Sequence, residues 1–314
     1  VVASPPWADS GGHSAKLAQC QRLEGRVVAV YGRRFEVECD DGRRRQCVVK
    51  AKRSGVACGD RVRVRPIGER EGMIEEILPR ENLLYRSDFH REKLIAANVT
   101  RVLVVVAPRP GFSEELLNRC LVAAQSQHVT PVIVLNKVDL VEAAAQVRQQ
   151  LALYEDLGYP VVPVSAKQDV SPLRPYLEGH VAVLVGPSGV GKSTIVNALV
   201  PDARAATAEI SEALDSGRHT TTSTRLYHLG PGTDLIDSPG MQAFGLSHLE
   251  LPALAAAFPE FRPLLSACRF NDCRHLEEPD CAVRAAAEHG QVSKRRLAMY
   301  QALARELMAR KLYA

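Results

Sequence analysis

Gly186-Pro187-Ser188-Gly189-Val190-Gly191-Lys192-Ser193-Thr194 is the stretch that decides how this chain folds. It satisfies G-x-x-x-x-G-K-[ST]. It lies between an apolar run, Val181-Ala182-Val183-Leu184-Val185, and a helical stretch over 193–199. A buried strand, a glycine-rich turn and a helix N-terminus in that order form a phosphate cradle. The glycines let backbone N–H groups wrap the anion, and the helix dipole favours negative charge at its start. Lys192 is expected on the β/γ-phosphates and Ser193 on Mg²⁺.

Upstream, Asn136-Lys137-Val138-Asp139 follows another apolar run, Pro131-Val132-Ile133-Val134-Leu135. A carboxylate at Asp139 can accept from guanine N1–H and the 2-amino group together, an arrangement adenine does not offer. Asn136 would brace the loop and the Lys137 stem would cover the base. Ser165-Ala166-Lys167, after the short run Pro160-Val161-Val162-Pro163-Val164, fits the segment whose backbone meets guanine O6. These residues argue for GTP and against an ATP-using P-loop enzyme such as a kinase.

Downstream, Asp237-Ser238-Pro239-Gly240 fits D-x-x-G, with Asp237 expected to bond the waters around Mg²⁺ and the Gly240 N–H to sense the γ-phosphate. Between it and the P-loop lies Gly217-Arg218-His219-Thr220-Thr221-Thr222. One of these threonines is expected on Mg²⁺; Thr222 is favoured, with the register left open. Common GTPases run P-loop, threonine, D-x-x-G, N-K-x-D, S-A-K. Here the last two come first, so the order is circularly permuted. The site can survive this because every motif is a loop at one edge of the same sheet.

Residues 21–85 read as a small all-β unit. Arg34-Phe35-Glu36-Val37-Glu38-Cys39 alternates with period two, and Asp40-Asp41-Gly42 supplies a turn. Five short strands with glycine-marked turns fit an OB-type barrel. Arg61-Val62-Arg63-Val64-Arg65 puts Arg61, Arg63 and Arg65 on one face, as candidate RNA contacts. Residues 20–80 carry 15 Lys/Arg against 10 Asp/Glu, more than the whole chain's net +4, which suggests a polyanion partner. Residues 86–246 alternate strand and helix, which implies a parallel sheet covered on both faces.

The remainder, 247–314, is mostly helical and holds Cys268-x₄-Cys273-x-His275-x₅-Cys281, a tetrahedral ligand set for one structural Zn²⁺. A closed Cys₃His shell leaves no position open for catalysis. The fold expected is therefore multidomain α/β: a flexible tail over 1–20, the barrel, a permuted P-loop GTPase domain and a zinc-binding helical domain.

At 314 residues, with 46% hydrophobic and 24% charged, the chain is neither disordered nor collagen-like. No apolar run approaches the ~18 residues that cross a bilayer. The start lacks the basic region and apolar core of a secretory signal, so a cytoplasmic protein is expected. Aromatic residues are 5%, which argues for phosphate and shape contacts over base stacking.

Together these residues resemble the circularly permuted GTPases that act on the small ribosomal subunit, the RsgA family, also called YjeQ or YloQ. The likeness runs over roughly 21–305 and rests on the barrel, Ile95-Ala96-Ala97-Asn98-Val99, the LNKVDL segment, the P-loop, GRHTTT, DSPG and the Cys/His knuckle. It implies a late assembly factor that binds the 30S subunit and its 16S rRNA; a monomer is expected. It implies GTP hydrolysis to GDP stimulated by that subunit, with Mg²⁺ at the nucleotide and one structural zinc. After D-x-x-G, where many GTPases carry a water-orienting Gln, this chain has Met241; the resemblance assigns that role to His219, against a switch-loop histidine facing RNA or solvent. The alternative function is a nucleotide-switched rRNA-binding module in which hydrolysis only resets binding.

Overall fold

The computed structural model describes residues 22–49, 55–88, 91–200, 223–239 and 245–311. The expected tail and the positions of His219, Thr222 and Gly240 lie outside the described residues.

Five strands, β1 (Leu23–Tyr31), β2 (Arg34–Cys39), β3 (Arg44–Val49), β4 (Arg61–Pro66) and β5 (Glu71–Ile77), close into a barrel in the order β1-β2-β3-β5-β4-β1. Only β3 and β5 pair in parallel. The period-two pattern closes it: Phe35, Val37, Val62, Val64 and Ile74 fill the interior, and the residues between them face out. A hairpin of β6 (Leu83–Asp88) and β7 (Arg91–Ala97) follows, spanning residues 85 and 86, where the sequence shifts from barrel to α/β rhythm.

The second unit is built on β8 (Arg101–Val106), β9 (Thr130–Asn136), β10 (Val161–Val164), β11 (Val181–Val185), β12 (Thr224–Gly230) and β13 (Thr233–Asp237). Their order is β10-β9-β8-β11-β13-β12, parallel except for β12. Near-continuous apolar strands suit a sheet buried on both faces. Val102, Val104 and Val106 of β8 pack to one side, Leu103 and Val105 to the other. Helix Glu114–Ser126 starts at Ser113, whose hydroxyl accepts from the Leu116 N–H at 3.2 Å, and Glu114 and Glu115 complement the dipole.

Barrel and sheet are joined edge to edge. β1 pairs antiparallel with β12, Ala29 opposite Arg225 and Val30 opposite Thr224. Beside this seam Arg26 and Asp234 form an ion pair at 2.5 Å, and the His228 ring lies between Asp234 (2.6 Å) and Glu38 (3.2 Å).

The C-terminal region comprises helix Leu251–Ala256, a 3-10 stretch Pro259–Ala267, helix Ala282–Glu288 and helix Lys294–Lys311. Its core is continuous with the sheet's outer layer: Phe258, Phe261 and Tyr300 share one apolar cluster with Leu117 and Leu121. Among the described residues, no helix is long and apolar enough to cross a membrane.

Candidate functional site

Because β8, β9, β10, β11 and β13 run parallel, their C-terminal ends meet at one edge of the sheet. That edge gathers the loop after β8, N-K-x-D after β9, S-A-K after β10, the P-loop after β11 and Asp237-Ser238 at the end of β13. They surround a cavity of about 490 Å³. Of the residues expected from sequence, Asn136, Lys137, Asp139, Ala166, Lys167, Ser188, Gly189, Gly191, Lys192, Ser193 and Thr194 line it.

The P-loop turn needs its glycines. Gly186 has φ +146°, and a Cβ there would lie 2.4 Å from the Val105 carbonyl oxygen. Gly191 has φ +102°, and a Cβ there would lie 2.3 Å from Asn136 Nδ2. Helix Lys192–Leu199 begins immediately after, so its free N–H groups face the cavity. Lys192, 7% exposed, donates to the carbonyls of Gly186 (2.8 Å) and Pro187 (2.9 Å). Burial lowers its pKa, with the charge of Asp237 opposing. Asp237 is buried too, which pushes its carboxyl up to about 6 despite Lys192. Its Oδ1 is buried with no hydrogen-bond partner.

The N-K-x-D and S-A-K end of the cavity is tied to the P-loop by side chains. Asn136 donates to the Val190 carbonyl at 2.8 Å and accepts from the Ala166 N–H at 3.0 Å. Asp139 Oδ1 accepts from the Ser165 hydroxyl at 2.8 Å, which fixes the carboxylate while leaving lone pairs for a ligand. Lys137 reaches across to the P-loop, donating to the Gly189 carbonyl (2.6 Å) and the Arg109 carbonyl (2.9 Å). Pro187 and Val190 are not among the lining residues, and Val190 is fully buried.

Three lining residues were not anticipated: Arg109, Leu140 and Ser238. Ser238 donates to the Leu184 carbonyl at 2.6 Å and pins β13 to β11. Arg109 was legible in principle, because it follows an apolar strand whose C-terminal end had to reach the same sheet edge.

In the C-terminal region the ligand atoms of Cys268, Cys273, His275 and Cys281 all lie within 4.8 Å of one another. His275 Nδ1 is 3.6 Å from Cys268 Sγ and 3.3 Å from Cys281 Sγ. Tetrahedral zinc with Zn–S of ~2.3 Å requires ligand atoms about 3.6–3.8 Å apart. The cluster is therefore consistent with a structural zinc. His275 is held from behind, its carbonyl accepting from Gln301 at 3.1 Å.

On the barrel, Arg61, Arg63 and Arg65 share one face of β4, each about two-fifths exposed. All three are ion-paired: Arg61 with Asp40 at 3.1 Å, Arg63 with Glu76 at 2.6 Å, Arg65 with Glu75 at 3.1 Å. The spacing gave the shared face but not the acids that pair with it, from β5 and from the turn after β2.

Comparison with known proteins agrees with this geometry. The family model described as RsgA GTPase matches residues 77–247. A small ribosomal subunit biogenesis GTPase RsgA of Nitrosospira multiformis is 55% identical over 281 residues, covering 90% of this chain and 90% of its own. That of Nitrosomonas europaea is 53% identical over 288 residues, covering 91% and 92%. Among solved structures, YjeQ from Thermotoga maritima aligns with a TM-score of 0.68 at 31% identity over 92% of this chain and 99% of its own. YloQ, a circularly permuted GTPase, aligns with a TM-score of 0.67 at 26% identity, over 92% and 96%.

Proposed function

Since the chain belongs to the RsgA GTPase family, we propose that it is a GTPase of small ribosomal subunit biogenesis, hydrolysing GTP to GDP and phosphate under stimulation by the subunit. The observation that carries the nucleotide half is Asp139 held by Ser165 in the same cavity as Lys192, with Asn136 locking the two ends together. That combination selects guanine and receives a polyphosphate.

In this reading the P-loop amides and Lys192 take the phosphate charge. Lys192 leaves the Gly186 and Pro187 carbonyls for the nucleotide. Ser193 and the orphaned carboxylate oxygen of Asp237 fit Mg²⁺, one in the cavity wall and one buried without a partner beside it. Bound there, Mg²⁺ would supply positive charge to offset the charge that develops on the phosphates. One threonine of 220–222, Thr222 in this reading, would ligate Mg²⁺, the Gly240 N–H would sense the γ-phosphate and His219 would orient the attacking water. Cys268, Cys273, His275 and Cys281 hold one zinc with no open position. The barrel and zinc unit are the surfaces for 16S rRNA, with Arg61, Arg63 and Arg65 exchanging carboxylate partners for phosphate. The protein works as a monomer in the cytoplasm, where its ribosomal partner is assembled.

The test is single-turnover hydrolysis with and without purified 30S subunits. Without them turnover is expected on the order of 10⁻³ s⁻¹, as for an unassisted GTPase. With them it should rise by orders of magnitude. An unchanged rate sinks the proposal.

A further inference from the structure

The loop between β8 and helix Glu114–Ser126 forms a wall of the nucleotide cavity, and it carries a cation that the GTPase motifs do not include. Arg109 lines the cavity. Its backbone carbonyl shares the Lys137 ammonium with the Gly189 carbonyl. The next residue, Pro110, lies 3.6 Å from where a Cβ on Gly189 would be. The loop is thus fixed against the fourth residue of the P-loop.

Four cationic side chains line the cavity: Arg109, Lys137, Lys167 and Lys192. Lys137 is occupied with two carbonyls, and Lys192 belongs to the β/γ end. Lys167 closes the S-A-K segment, whose Ser165 and Ala166 bond to Asp139 and Asn136 at the other end of the cavity. That leaves the Arg109 guanidinium, which has no hydrogen-bond or ion-pair partner among the described residues. Its backbone is held between Lys137 of the N-K-x-D loop and the P-loop turn at Gly189, and its side chain belongs to the cavity lining. A planar donor fork is suited to two phosphate oxygens at once.

We propose that Arg109 is a nucleotide-binding residue that clamps the diphosphate shared by GDP and GTP. This rests on the GTPase reading and adds a charge contact outside the P-loop. Because the contact is to groups both nucleotides possess, it contributes affinity to both alike and does not discriminate the γ-phosphate.

The experiment measures dissociation constants of the full-length protein for GDP and for a non-hydrolysable GTP analogue, in wild type, R109A and R109Q. R109Q keeps a polar, hydrogen-bonding side chain that is shorter and carries no charge. Both variants should weaken both ligands at least fivefold and by the same factor, and R109K should recover part of the loss. A change below fivefold overturns the inference, as does a loss confined to the GTP analogue. ADP serves as the control on the underlying reading: a wild type that binds ADP as well as GDP overturns both, whereas guanine-selective wild type with unaffected variants overturns only the role of Arg109.

Discussion

Asn136 Nδ2 donates to the Val190 carbonyl at 2.8 Å, across 54 residues of sequence. Its Oδ1 accepts from the Ala166 N–H. One side chain, 1% exposed, therefore ties the base loop, the phosphate loop and the S-A-K loop into a single body. The permutation leaves this body intact because its bonds are between loops at one sheet edge, whatever the order in which the chain visits them.

Asn136→Ala leaves a buried carbonyl and a half-buried N–H without partners. Each costs about 1–3 kcal/mol. Thermal melts of the nucleotide-free variant should show a loss of that order, and GDP affinity should fall about tenfold or more as the loops separate. Wild-type affinity in a destabilised variant would contradict the bridging role.

Asp139→Asn replaces an acceptor pair with one acceptor and one donor. The guanine 2-amino group then faces an N–H, while xanthine offers a carbonyl there. Competition binding should show GDP weakened about 100-fold and xanthosine diphosphate strengthened. Equal preference before and after the change would remove Asp139 from base recognition.

Asp237 gives a pH dependence whose sign follows from burial. Its folded pKa, about 6, lies above the ordinary 3.8, so the folded state holds the proton better than the unfolded state. The stability it supplies is full below about pH 4 and is lost as pH rises to about 6. In nucleotide-free protein Asp237→Asn should flatten that window and raise stability at pH 7 by about 1–3 kcal/mol. Urea melts from pH 4 to 7 read this directly; a parental slope in the variant would refute it. The same variant should lose Mg²⁺-dependent hydrolysis.

Arg296, 1% exposed, joins the last helix to the GTPase unit. It pairs with Glu260 at 2.6 Å, donates to Asn118, and lies 4.4 Å from the Phe258 ring centroid and 5.6 Å from that of Tyr154. Arg296→Ala strands a buried carboxylate and should cost about 3–5 kcal/mol in denaturant unfolding. The double change R296M, E260L should recover part of it. A loss below 1 kcal/mol would make the clamp ornamental.

Elemental analysis should return one zinc per chain. Cys273→Ser should reduce that to near zero and lower the melting temperature by several degrees. Full zinc content in the variant would mean that Cys273 is not a ligand.

The sequence by itself determined the elements and the chemistry of the loops. Period-two alternation in 34–39 and 61–65 decided which side chains enter the barrel, since a strand has only two faces. The convergence of Gly186, Gly191, Lys192 and Asp139 on one sheet edge was legible because the P-loop and N-K-x-D motifs each follow an apolar strand at fixed spacing. The Cys₃His set was legible because four ligands within 14 residues are local. Tertiary structure alone decided what depends on which distant segments become neighbours. The β1–β12 seam, the Asn136–Val190 bond and the acids that cover Arg61, Arg63 and Arg65 are contacts between strands and loops remote in sequence. So are the burial that raises Asp237 and the placing of Arg109 in the nucleotide wall. No periodicity or spacing encodes such meetings, because they are set by how sheets and helices pack, and packing is a property of the whole core.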